Sequence, residues 1–179
     1  TLAAAAQPSV SALAADGDGI LRRAPLLWTL NGTPTPSVAL EAARFALDAN
    51  KITVTINPSA ANAQGRIIDG IQIGNTSLPV SDATAVRLYL PKRVTVPSTS
   101  ASRLISGFGA DARVASSNNQ LSGSVVLIGL DTELGPAIPT ARGDLSPAAI
   151  HALTAAQITS GKAPTRPGWT GYIEALAVM

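Results

Sequence analysis

Proton transfer and covalent catalysis need side chains that this chain barely carries: one histidine, His151, three glutamates and no cysteine among 179 residues. A hydrolytic triad would require a serine activated by His151 and an aspartate orienting the ring, yet no G-x-S-x-G turn is present to expose such a serine. Asp131 and Glu133, two residues apart, would project from one face of a strand, as paired carboxylates do in glycoside chemistry. Sugar sites add aromatic platforms and several amide side chains, and this stretch has neither, so solvated turn residues are the simpler assignment. A lone histidine among scattered aspartates also lacks metal-ligand spacing. The expectation is therefore a protein that is not an enzyme, with no catalytic residue, no metal and no cofactor. An enzyme of unfamiliar type would have to assemble Asp131, Glu133 and His151.

Four short motifs have structural explanations that outweigh their chemical ones. Asp16-Gly17-Asp18-Gly19 opens like a calcium loop but lacks the third acidic residue and the distal glutamate, which leaves a turn. Gly107-Phe108-Gly109-Ala110-Asp111 has two glycines of a phosphate cradle without the third, and no long apolar strand leads into it. Arg142-Gly143-Asp144 is the tripeptide of integrin ligands, but an acidic residue just before a helix is already explained by the helix dipole. Asn31-Gly32-Thr33 and Asn75-Thr76-Ser77 fit the glycosylation pattern and read most simply as turns.

The surface that must carry any function is poor in charge. Charged residues make up 13% of the chain and the net charge is +2. Ten of the thirteen basic residues are arginine, and the densest basic spots, Arg22-Arg23 and Lys92-Arg93, are isolated pairs. Phosphate-tracking surfaces need clustered Lys/Arg and stacking aromatics, so nucleic acid is not expected as a primary partner. No run approaches the eighteen or so apolar residues of a membrane span, so no membrane contact is expected, and residues 1–15 lack the basic and leucine-rich regions of a signal peptide.

One core is expected at this length, with roughly 70% of the unfolded surface buried. It must be built from Val, Ile, Leu and Ala, because only six aromatics occur. Residues 1–35 read as an extended arm rich in Ala, Ser, Pro and Gly. Ordering such an arm costs about 1–2 kcal/mol per residue, more than its own contacts return, so a neighbouring subunit is expected to hold it; the alternative is an arm lying across its own domain. Thr35-Pro36 opens a first helix over 36–49, with Glu41, Arg44 and Asp48 as a polar stripe and apolar residues elsewhere. From Lys51 the period becomes two: Ile52, Val54 and Ile56 alternate with Thr53 and Thr55. Further strands are expected at 66–73, 85–90, 93–96, 103–106, 112–115 and 123–130, the last apolar on both faces and hence central. Ser146-Pro147 opens a second helix over 147–159, stopped by Gly161. A linker and apolar tail occupy 161–179.

The fold class expected is mainly β, a sandwich or barrel-like body over 36–160, with two α-helices and extended N- and C-terminal arms. Low charge, few aromatics, apolar arms and no catalytic constellation together predict a structural subunit of a symmetric assembly. The expected setting is a virion, as a coat, head-decoration or tail-tube protein made in the host cytoplasm. Its partners would be copies of itself and other proteins of the same particle. Leu26, Leu27, Trp28, Phe45, Trp169, Tyr172, Ile173 and Leu176 are the candidate subunit contacts. The alternative is an adhesin-like β-sandwich that binds sugar or protein through its loops.

Overall fold

The computed structural model describes residues 7–62, 65–79, 84–91, 95–102 and 121–162, with Pro164 and Leu176. Its strands are β1 (Arg23–Pro25), β2 (Leu27–Leu30), β3 (Thr33–Pro36), β4 (Ile52–Asn62), β5 (Gly65–Ile73), β6 (Thr76–Pro79), β7 (Ala85–Arg87), β8 (Ile138–Thr140) and β9 (Gly143–Leu145). Two helices accompany them, α1 (Val38–Ala46) and α2 (Pro147–Thr159). The strands form antiparallel sheets in the orders β1-β7, β2-β3, β4-β5-β6 and β8-β9. The chain is thus mainly β with two helices, built from several small sheets among the described residues.

The β2-β3 hairpin has a local cause. Asn31 and Gly32 both take positive φ, 50° and 79°, which matches the right-handed twist of the β2-β3 ribbon they connect. In the three-stranded sheet, Ile52 faces Ile73, Val54 faces Ile71, and Ile71 faces Leu78 on the other side. These side chains share one face with Leu40 and Ala43 of α1, Ala24, Leu26 and Leu27 of the N-terminal segment, and Ile158 of α2. Ile56 departs from the alternation: beyond a register shift between Thr55 and Ile56 it is exposed.

Segment 1–35, expected as an arm held by a neighbour, is instead ordered by its own chain where it is described. Val10 bridges Ser37, with Val10 N donating to Pro36 O at 2.9 Å and Val38 N to Val10 O at 3.0 Å. Leu21, Ala24, Leu26 and Leu27 are buried, and β1, β2 and most of β3 fall within the segment. Apolar spacing of Leu21, Leu26 and Leu27 supplies the burial that offsets the ordering cost.

The first helix starts two residues later than expected. Pairing of Leu27 with Pro36 holds Thr35 and Pro36 in β3, so Ser37 becomes the cap, its hydroxyl accepting from Leu40 N at 3.3 Å. The helix ends before Asp48, whose φ of 49° breaks it. Of its polar stripe, Glu41 is buried, Arg44 half-buried and Asp48 exposed: Glu41 Oε1 accepts from Arg44 Nη2 at 2.6 Å and Nε at 3.0 Å, while Arg44 Nη1 donates to Ala49 O at 2.7 Å. That guanidinium closes the helix C-terminus, where cations are favoured.

Helix α2 spans the expected residues. Ser146 Oγ accepts from Ala149 N at 3.3 Å, Pro147 occupies the first turn, and Gly161 follows at φ 66°. Its buried face carries Ile150, His151, Thr154, Gln157 and Ile158, and packs on α1 and β1.

The strand expected at 123–130 is not formed. Residues 124–130 run outside any strand, and Ile128 is 93% exposed. An unbroken apolar run marks an extended chain equally well whether it is sheathed or not. Here it leans on α2: a Cβ on Gly129 would lie 2.6 Å from Ala148 Cβ. Thr95 and Val96 of the expected strand 93–96 are not in a strand either, and the expected strands at 103–106 and 112–115 lie outside the described residues.

Candidate functional site

Two grooves lie near helix α2: its N-terminal half lines the first, and Gln157 in its C-terminal half holds the backbone that lines the second. The first, of about 270 Å³, lies between the N-terminal half of α2, Val38 at the start of α1, Ser11 and the 127–130 segment. His151 lines it and is 3% exposed, with Nε2 lying 3.1 Å from Ser11 O. A carbonyl can only accept, so Nε2 carries the proton and Nδ1 presents a lone pair, which is buried without a partner. Burial pulls the His151 pKa below its ordinary value, and the Ser11 hydrogen bond opposes this less strongly. The imidazole is therefore neutral near pH 7. Packing against the N-terminal segment thus buries the chain's one histidine.

The second groove, of about 390 Å³, lies near the C-terminal half of α2. Leu21, Arg22, Arg87, Tyr89, Arg142 and Pro164 are among its lining residues. Three strand ends are tied together there. Leu21 N donates to Pro139 O at 2.8 Å, and Leu88 N donates to Arg22 O at 2.9 Å. On the opposite edge of the 87–89 backbone, the Gln157 side chain takes the place of a further strand. Its Nε2 donates to Arg87 O at 2.7 Å, and its Oε1 accepts from Tyr89 N at 2.9 Å. The two backbone groups fix the amide orientation, since a carbonyl accepts and an N–H donates.

Charge in this region divides into paired and unpaired guanidiniums. The Asp16-Gly17-Asp18-Gly19 turn folds back on itself, with Gly19 N donating to Asp16 O at 2.8 Å and Gly19 at φ 80°. Its carboxylates meet the Arg22-Arg23 pair: Asp18 Oδ2 lies 2.7 Å from Arg22 Nη2, and Asp16 Oδ1 lies 2.8 Å from Arg23 Nη2. The Arg22 hydrogen bond holds the Asp18 pKa down at about 2, and that from Arg23 lowers Asp16. Arg22 is raised in turn, chiefly by Asp18. Arg87 and Arg142 have no ion-pair partner among the described residues, and Arg87 Nε is buried without an acceptor. Arg142 occupies the exposed β8-β9 turn, where Arg142 N donates to Thr140 Oγ1 at 3.2 Å and Gly143 takes φ 101°.

A family model for the CHASE2 domain matches residues 2–179. The chain belongs to the CHASE2 family. CHASE2 domains are extracellular or periplasmic sensory domains found in signalling proteins with cyclase, kinase or phosphatase outputs. That membership overturns the expected virion role, whether coat, head-decoration or tail-tube, and with it the expected virion location. No curated protein and no solved structure matches the chain.

In this CHASE2 domain the residues singled out from sequence are scattered. Leu26 and Leu27 belong to its own core. Trp28 is half-buried on β2 with its Nε1 lacking a partner, Phe45 is 58% exposed with the Arg44 guanidinium 4.3 Å from its ring centroid, and Leu176 is exposed. Trp169, Tyr172 and Ile173 lie outside the described residues. No hydrogen bond joins Asp131, Glu133 and His151: Asp131 Oδ1 accepts from Thr132 N at 2.7 Å, and His151 meets Ser11. Among the described residues, no cluster of three His, Cys, Asp or Glu could hold a metal, and no helix is long and apolar enough to cross a membrane. Sequence reasoning missed Arg87, Tyr89 and Gln157 altogether and met Arg142 only inside an adhesion tripeptide. Their meeting depends on chain segments some fifty to seventy residues apart, for which no local signal exists.

Proposed function

We propose that this CHASE2 domain is the signal-input module of a signalling protein, that it acts outside the membrane and without catalysis of its own, and that its input is a small molecule bound in the second groove. The observation that carries this is the cationic groove itself. It lies where Leu21 and Arg22 before β1, the chain from Arg87 to Leu90 and the β8-β9 turn meet, and Gln157 on α2 holds the 87–89 backbone from the other edge. Family membership supplies the sensory role, and the scattering of Asp131, Glu133 and His151 argues against turnover. The groove sits in the lower part of the volume range usual for small-molecule sites.

The test replaces this domain in its parent polypeptide by a flexible linker and follows the enzymatic output of the attached signalling domain in membranes. A change in the level or the responsiveness of that output is expected. Output indistinguishable from the parent's under every growth medium tried would overturn the proposal, as would hydrolytic or transfer activity by the isolated domain.

A further inference from the structure

We propose that the second groove recognises a small organic anion, its oxyanion head held by Arg87 and Arg142 and its apolar body lying against Tyr89. The ligand's role in signalling rests on the sensory function proposed above; its binding does not.

The charge accounting around the groove leads to this chemistry. Three arginines line it and, among the described residues, no carboxylate does. Arg22 is neutralised, because Asp16 and Asp18 together face Arg22 and Arg23, two carboxylates for two guanidiniums. What remains is the charge of Arg87 and Arg142, unmatched among the described residues, in a protein whose whole net charge is +2. A planar guanidinium offers its N–H groups as a fork that fits the paired oxygens of a carboxylate or phosphate. Arg87 Nε–H is buried and meets no acceptor among the described residues, so this guanidinium is not satisfied by the domain itself.

The two guanidiniums differ in how firmly they are placed. Arg87 stands at the end of β7, where its own carbonyl is fixed by Gln157 Nε2 at 2.7 Å. Its side chain is half-buried. Arg142 projects from the exposed turn between β8 and β9. A half-buried donor on one wall and an exposed donor on the rim thus line the same groove. Tyr89, 59% exposed beside them, supplies an aromatic face, and Leu88 and Leu90 are half-buried in the same wall. About 390 Å³ admits a carboxylic acid or phosphate monoester bearing one ring or a short chain.

Calorimetric titration of the full chain with sodium benzoate and with phenyl phosphate tests this, with sodium chloride at matched ionic strength as reference. The two probes separate a carboxylate head from a phosphate head. At least one is expected to bind saturably. Arg142→Gln and Arg87→Gln should each weaken it tenfold or more, and Arg142→Lys, which keeps the charge but loses the fork, should weaken it less than Arg142→Gln. Lys51→Gln removes the same charge at an exposed position that does not line the groove and should leave affinity unchanged. No saturable binding of either probe overturns the inference, as does an equal loss in Lys51→Gln and Arg142→Gln. Should Arg87→Gln fail to fold, Arg142→Gln decides alone, since it alters only an exposed turn. If neither probe binds while domain replacement still changes the output, the anion site fails and the sensory function stands; saturable binding with an indifferent output means the reverse.

Discussion

Replacing Gln157 by leucine should loosen the β7 end of the domain by an amount that can be worked out bond by bond. The side chain is 6% exposed and makes two hydrogen bonds to the 87–89 backbone, at 2.7 and 2.9 Å. Leucine fills much the same volume but can neither donate to Arg87 O nor accept from Tyr89 N. At about 0.5–1.5 kcal/mol for each bond lost, the cost is about 1–3 kcal/mol. For a chain of this size that is a fall in Tm of about 2–4 °C per kcal/mol. Gln157→Glu dissects the pair. One carboxylate oxygen can still accept from Tyr89 N, but the other then faces Arg87 O with no proton between them. Repulsion and burial raise the folded-state pKa of that glutamate above its unfolded value of about 4.3. By linkage, the variant approaches wild-type stability below about pH 4.3, and the difference opens as pH rises through the raised folded value. Urea denaturation of wild type and both variants at pH 4 and pH 7 reads this, with the acid response of all other groups cancelling in the difference. A Gln157→Leu cost below about 0.5 kcal/mol, or a Gln157→Glu deficit equal at both pH values, would refute the clasp.

Three further outcomes follow from the same accounting. Asp18 has its pKa lowered to about 2 by Arg22, so its stabilising effect is complete above pH 3.8 and is lost as pH falls toward 2; the Tm difference between wild type and Asp18→Asn should shrink over that interval. Arg44→Met strands the buried Glu41 carboxylate at a cost of about 3–5 kcal/mol, and adding Glu41→Leu should recover most of it in a double-mutant cycle. Gly129→Ala drives a methyl group to 2.6 Å from Ala148 Cβ and should cost about 1–3 kcal/mol by thermal denaturation, a penalty that falls to about a few tenths in an Ala148→Gly background.

Local signals were the ones that sequence displayed faithfully. Ser146-Pro147 and Gly161 bracket α2 because cap, first turn and left-handed stop each concern only a few neighbouring residues. Ile52 and Val54 alternate because a sheet face repeats every two residues, and Asn31-Gly32 turns because its φ values suit a two-residue hairpin. Non-local arrangements stayed hidden. Thr35 and Ser37 are equally able to cap a helix, and only the pairing of Leu27 with Pro36 decides between them. Val125 to Leu130 lacks polar residues, yet nothing in that run says whether a sheet will sheath it. The groove draws on Arg22, Arg87 and Arg142, so no window of sequence contains it.

Composition misled at the level of function because it averages over where charge is spent. A chain with 13% charged residues resembles a subunit built to pack against copies of itself. Position gives a different account. Asp16 and Asp18 are consumed by Arg22 and Arg23, and Glu41 by Arg44, each pair closing a turn or a helix end of the same chain. Leu26 and Leu27, which would anchor a neighbour, fill the chain's own core. Arg87 and Arg142, left over from this internal pairing, converge on one groove from distant parts of the sequence. Few charges make that convergence more telling, since a guanidinium without a counter-ion is costly to hold in place and solvates freely elsewhere. Scarcity of charge and its concentration at one groove therefore belong together. The unmatched cations are placed where a small anion can reach them.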